Sequence, residues 1–385
     1  MAELRRLLQW LRERESAMTR QVGRLVEIES SSYDRAGVNR LVNALAAEWK
    51  KRGARVERLR PARDRERGDL LRCEWRPRGE AAAGQILVLG HTDTVYERGT
   101  LARTPFRVRG GRAYGPGTLD MKAGLAIALG AVDAMRAARL EPRRRVVFLW
   151  TPDEEIGSEA SRGTIEREAR RSAAVLVLEP GTGPSGKLKT ARKGVGEFTL
   201  EVTGRAAHAG VNPQAGVNAV HELAMQIARV ARFGEPRRGI TVNADVVEGG
   251  TRTNVIAERA RARVDVRVAR AADIPRVTAR FRALRPILPG ARVRVSGGID
   301  RPPMERRVAE GLFAQAHRLG GELGMRMEES STGGGSDGNF TAALGVPTLD
   351  GLGAVGAGAH TAGEYIRTRS LAERAALLAA LLHTL

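Results

Sequence analysis

Three short apolar runs in the first half of this chain each lead to a histidine or an acid. Gln85-Ile86-Leu87-Val88-Leu89-Gly90 runs into His91. Val146-Val147-Phe148-Leu149-Trp150 stops just short of Pro152-Asp153-Glu154-Glu155, and Ala173 to Leu178 ends at Glu179. Apolar runs this short and continuous read as strands buried on both faces. Between the first two, Met121 to Ala137 carries small and apolar residues at helical spacing. Buried strands alternating with helices predict an α/β fold built on a mainly parallel sheet covered on both sides. Such sheets gather ligands beyond the carboxyl ends of their strands, and there His91, Glu155 and Glu179 fall.

From about Lys193 the pattern changes. Glu197 to Val202 alternates polar and apolar, as do Thr241 to Val247 and Arg261 to Val268, while Asn218 to Arg232 and Asp273 to Leu284 have helical spacing. With a last strand near Ala291 to Val295, this predicts an inserted α+β domain over 191–301. Pro302-Pro303 marks the return to the first domain, which then comprises 1–190 and 302–385. A helix at Arg307–Leu319, a glycine loop at 333–335 and a final helix from Ser370 complete it. At 385 residues the chain has room for two such cores.

Composition narrows the chemistry. The single cysteine, Cys73, excludes an internal disulfide and a thiolate-rich metal site, so any ion must be held by nitrogen and oxygen. The formal charge of +20 is nearly all arginine, spread along the chain with aromatics at 4%. There is no long basic tail and no aromatic-interleaved patch, so no nucleic-acid partner is expected; the excess suits anionic small substrates. No apolar run approaches the ~18 residues of a membrane span, and the N-terminus, Met1 to Ile28, reads as an amphipathic helix without a signal peptide's apolar stretch. No membrane association and a cytoplasmic location are therefore expected.

Five separated positions suit metal ligands: His91 in His91-Thr92-Asp93, Asp120 in Gly117-Thr118-Leu119-Asp120-Met121-Lys122, Glu155, Glu179 and His360. Two imidazoles and three carboxylates fit a pair of divalent ions sharing one bridging carboxylate. Asp93, two residues beyond His91 on the same strand face, is placed to hydrogen-bond the ring nitrogen that a metal leaves free. Adjacent Glu154 and Glu155 repel one another, so a metal can take one while the other serves as a general base. Asp120 as an ordinary helix cap and Glu154-Glu155 as a surface acidic turn are the plainer alternatives.

Together with Gly333-Gly334-Gly335-Ser336-Asp337, Gly204 to Gly210 and Arg252-Thr253-Asn254-Val255-Ile256, these motifs resemble the co-catalytic zinc aminopeptidase, carboxypeptidase and aminoacylase family. The resemblance runs from about residue 20 to the end and is most like the bacterial glutamate carboxypeptidases. It implies two Zn2+ per chain, with Co2+ or Mn2+ as other fitting ions. Asp120 would bridge them, His91 and Glu179 would hold one, and Glu155 and His360 the other. A metal-bridging hydroxide would attack the amide with Glu154 as base and proton shuttle, and Asp93 would orient His91. The inserted domain would act as a lid and join two chains as a homodimer, with His208 stabilising the oxyanion in the partner's site; a plain turn histidine is the alternative. Asn254 and Arg267 would bind a substrate carboxylate, framed by Gly334, Gly335 and Ser336.

Read this way, the chain is a metallohydrolase that releases a C-terminal, acidic amino acid such as glutamate from a small peptide or N-acyl conjugate. An N-acyl-amino-acid deacylase or dipeptidase would carry the same metal motifs, and an inactive binding protein on the same fold is the non-enzyme alternative. Arg192-Lys193, near the expected hinge, could attract a second substrate carboxylate or be solvated hinge charges.

Overall fold

The computed structural model describes residues 2–61, 64–77, 79 and 82–385. Met1, which opens the expected N-terminal helix, lies outside them. The chain divides into two compact units: one of Met1–Ala191, Arg306–Ser331 and Ser336–Leu385, the other of Arg192–Glu305 and Thr332–Gly335.

The first unit is organised by a six-stranded sheet in the order Arg55–Leu59, Leu70–Trp75, Arg145–Thr151, Gln85–His91, Ser172–Val177, Thr348–Leu349. Its last four strands run parallel, whereas the first two are antiparallel to their neighbours. The parallel core is what the apolar runs foretold, and every residue of Gln85–His91 is buried. Leu87, Leu89, Val147, Leu149, Val175 and Val177 pack on one face with Ile165, Ala169 and Phe340. On the other, Trp49 of helix Arg35–Lys51 meets Phe148 with ring centroids 4.1 Å apart. Deleting a buried ring such as Phe148 to alanine costs about 3–5 kcal/mol in cores of this density.

Helix Ala123–Ala137 is buried on nearly all sides and packs against the C-terminal helix Arg369–Thr384. The charged N-terminal stretch forms two helices, Ala2–Arg12 and Glu15–Val26, rather than one. Among the described residues no helix is long and apolar enough to cross a membrane.

The second unit is an antiparallel sheet in the order Thr241–Gly249, Arg259–Val268, Gly194–Thr203, Arg292–Arg301. Gly194–Thr203 alternates buried and more exposed positions along its length, the signature of a sheet packed on one side only. The buried side meets helices Ala219–Ala231 and Ile274–Arg282, with Phe198 and Phe281 stacked at 4.0 Å.

Candidate functional site

In the first unit the sheet delivers three of the expected ligands at strand ends, and two loops bring the others to meet them. His91 closes strand Gln85–His91, Glu155 follows strand Arg145–Thr151 in the short turn Glu154–Ile156, and Glu179 follows strand Ser172–Val177. Asp120 lies in an irregular turn ahead of helix Ala123–Ala137. That helix begins without a side-chain cap, so Asp120 is not a capping residue. His360 comes from a loop and holds a left-handed backbone, φ 64°.

These five side chains form two sets that share Asp120. His91 Nε2 lies 3.2 Å from Asp120 Oδ1 and 3.3 Å from Glu179 Oε1. His360 Nε2 lies 3.4 Å from Asp120 Oδ2 and 3.3 Å from Glu155 Oε2. One carboxylate thus presents a different oxygen to each histidine. Within each set the candidate ligand atoms lie within 4.8 Å of one another. Buried Glu155 Oε1 has no hydrogen-bond partner. Three acidic groups and two imidazoles crowded at this spacing, one with an unsatisfied buried oxygen, fit two divalent cations.

The turn that carries Glu154 and Glu155 is fastened by Asp93. Its Oδ1 accepts from the Glu154 amide at 3.1 Å, and its Oδ2 from the Glu155 amide at 3.2 Å and the Ser32 hydroxyl at 2.7 Å. The His91 Nδ1 proton faces the Asp93 backbone carbonyl at 2.9 Å, with the carboxylate farther off at 3.4 Å. His91 is therefore oriented chiefly by the main chain at residue 93, leaving Nε2 for the cation. Burial above all disfavours ionisation of Glu155 and Glu179, one carboxylate from each set, and the charges of Asp120 and Glu154 act in the same direction on both.

Two glycines crowd the backbone leading into Glu179. A Cβ on Gly124 would stand 2.5 Å from the Leu178 carbonyl oxygen, and one on Gly353 2.2 Å from the same atom. Gly353 also donates its amide to the Glu179 carbonyl at 2.9 Å. No larger residue allows this approach without displacing the strand end.

Charge at the site is arranged for exchange with cations. Burial pushes Glu155 up to about 7, against the pull of His360. Contacts with Asp120 and Glu155 push His360 up to about 10. Burial works against the charged form of His91, yet Asp120, Asp93 and Glu179 raise its pKa well above 6.5. Asp120 is held below the ordinary range by both histidines despite its burial.

Groups raised in the folded state stabilise it below their ordinary pKa and lose that contribution as pH climbs through the folded value. For Glu155 and His360 the loss runs through about 7 and about 10. A cation needs these same groups deprotonated. Raising the pH from about 6 to about 8.5 should therefore lower the Tm of the chelated protein and widen the Tm gain on adding Zn2+. Calorimetry at several pH values reads both, and a gap that narrowed with pH would contradict this charge arrangement.

The other expected site residues fall differently. His208, Asn254, Arg267, Gly334 and Gly335 belong to the second unit. His208 is exposed, and its Nδ1 accepts from the amides of Gly210 and Val211 at 3.2 and 3.1 Å, which leaves Nε2 as the donor. Its strand bridge with Val255 sets it beside Asn254, whose carbonyl accepts from the Ala209 amide. Arg267 forms a two-pronged pair with Asp265, at 2.9 Å through Nε and 2.7 Å through Nη2, and reaches the Gly333 carbonyl at 3.4 Å.

Arg192 and Ser336 both have partners within the protein. Arg192 is buried rather than solvated, and its Nη1 donates to the carbonyls of Gly334 and Gly335 at 3.1 and 2.9 Å, so it clamps the glycine loop. Ser336 is fully buried in the first unit, its hydroxyl donating to Asp350 Oδ2 at 2.7 Å, so its side chain anchors the loop's end.

Sequence reasoning passed over Ser32, Tyr96 and Glu364. Glu364 is 1% exposed and its carboxylate accepts from the amides of Gly117, Leu119 and Asp120 and from the Tyr96 hydroxyl. Its place four residues after His360 was the available signal.

Similarity to known proteins extends along most of the chain. The description "Peptidase family M20/M25/M40" matches residues 87–384. Over 384 residues the chain is 32% identical to carboxypeptidase G2 of a Pseudomonas species, covering 98% of this chain and 91% of that protein. It is 31% identical over 242 residues to the acetylornithine deacetylase of Yersinia pestis, with 59% and 60% covered. Aminopeptidase PepT from Bacillus cereus superposes with a TM-score of 0.80 at 22% identity, over 96% of this chain and 98% of that one.

Proposed function

The chain belongs to peptidase family M20/M25/M40, and from that we propose that it removes a C-terminal acidic amino acid, glutamate above all, from small peptides or N-acyl conjugates. Membership makes it a metal-dependent hydrolase of amide bonds. The mechanism rests on one observation: two candidate cation sites that share Asp120, with Glu154 next to the ligand Glu155 in a turn that Asp93 fastens.

We assign His91, Asp120 and Glu179 to one ion and Asp120, Glu155 and His360 to the other, with zinc as the expected metal. Bound there, the ions would supply an acidified water and an electrophile for the amide oxygen. Glu154 takes a proton from the attacking water on its carboxylate and passes it to the departing amine nitrogen, which an amide leaving group requires. Asp93 keeps that carboxylate in place by gripping the turn's amides. His208, held with Nε2–H outward, donates to the developing oxyanion. Arg267 and Asn254 receive the substrate carboxylate, with Arg267 exchanging part of its pairing with Asp265 for the ligand. Homodimerisation through the second unit belongs to the same proposal. The similarity to acetylornithine deacetylase supports a second reading, an N-acyl-amino-acid deacylase.

A panel of N-acyl-glutamates, acetyl-amino acids and dipeptides, assayed with metal content before and after chelation, separates these. Two ions per chain and chelator-sensitive release of glutamate are expected. Two ions with preference for acetyl-amino acids would replace the acidic-residue reading with the deacylase one. No bound metal would overturn the ligand assignment.

A further inference from the structure

Glu364 is placed by a small sheet rather than by the main one. Strand Tyr365–Arg367 pairs antiparallel with Arg112–Tyr114, Tyr365 opposite Tyr114. This register lays residue 364 against the stretch that follows Tyr114, and the Gly115 amide donates to the Glu364 carbonyl at 3.2 Å. The side chain then turns into the Gly117–Asp120 turn. Oε1 accepts from Leu119 N at 2.6 Å and Asp120 N at 2.9 Å, while Oε2 accepts from Gly117 N at 3.1 Å and from the Tyr96 hydroxyl. Tyr96 Oη is also 2.9 Å from the Thr361 carbonyl, so both ends of the segment after His360 are tied to it.

The geometry has a consequence for Asp120. Its two oxygens face different histidines, one His91 and one His360, and where that carboxylate stands between them follows from where its backbone is held. The Glu364 carboxylate fixes that backbone at the Asp120 amide itself. The same short segment that supplies His360 directly to one cation set therefore also aims the ligand common to both.

We propose that Glu364 is the positioning residue for Asp120, setting the affinity for both cations although it ligates neither. This rests on the assignment of the two cation sites above. Glu364→Gln is the informative change, because it keeps the size but replaces one acceptor oxygen with a donor among amides that all donate.

The test is titration of the metal-free protein with Co2+, read by calorimetry and by the visible spectrum of the bound ion. Glu364→Gln is expected to weaken both equivalents about 10- to 100-fold and to alter the Co2+ spectrum. His360→Ala, as a comparator, should lose one equivalent and keep the other. Unchanged Co2+ affinity and spectrum in Glu364→Gln, even with a lower metal-free Tm, would reduce Glu364 to a structural brace and overturn the proposal.

Should Glu364→Gln fail to fold, Tyr96→Phe removes a single donor from the same carboxylate. It should weaken both equivalents a few-fold, and wild-type binding by it would overturn the proposal too. A wild-type protein that bound no Co2+ would instead sink the cation sites themselves.

Discussion

Glu154→Ala is expected to lower kcat by about 10²- to 10⁴-fold while leaving both metal equivalents bound. The carboxylate is assigned to proton transfer, and the ligands of both sets are untouched by its removal. Its neighbour makes the contrast sharp, because Glu155→Ala should lose one metal equivalent along with activity. The measurement is kcat and KM beside metal content per chain. KM should change little, since the lost interaction is made in the transition state. Near wild-type turnover in Glu154→Ala would remove it from the mechanism; loss of metal would mark it as a ligand instead.

Asp120→Ala should have the other large effect. Each of its oxygens faces a different histidine, so both sites lose a ligand at once. Affinity for each ion is expected to fall by more than about 100-fold, beyond what changes at supporting residues produce. Activity should disappear at ordinary metal concentrations. A bound ion at a thousandfold excess over its Kd adds about 4 kcal/mol to folding, so the metal-induced gain in Tm should vanish as well. His360→Ala should keep a part of that gain. An Asp120→Ala protein that still bound one ion tightly would show that the two sites are not joined through this residue.

The parts of this molecule legible in sequence are those where burial dictates composition. A strand such as Gln85–His91, covered on both faces, is apolar or glycine from Ile86 to Gly90, so its ends and the ligand there stand out. Strand Gly194–Thr203 and its neighbours were legible for the opposite reason, because one covered face forces alternation. Arg55–Leu59 was not, since an edge strand with mostly exposed side chains imposes no pattern. Leu70–Trp75, nearly all buried, holds Arg72 and Glu74 by pairing them with each other at 3.0 Å, which hid its apolar character.

Polar residues were misjudged where the partner is backbone. Arg192 reads as a free charge until the Gly334 and Gly335 carbonyls are seen against it, and Glu364 went unnoticed because its partners are three turn amides. Backbone groups leave no trace in composition. Arg267 is the exception, for Asp265 stands two residues away on the same strand face, and a pair at that spacing could have been read directly.

The glycine loop has a practical consequence for dissecting this chain. Thr332–Gly335 clusters with the second unit, where Arg192 and Arg267 hold its carbonyls. The polypeptide therefore passes between units at 191/192, 305/306, 331/332 and 335/336. A domain bounded by a single pair of crossings can be cut out or transplanted as a cassette. Here, excising 192–305 alone would strand a four-residue remnant in the parent and deprive the excised piece of carbonyls that a buried guanidinium requires. A graft of this second unit onto another scaffold has to carry both segments.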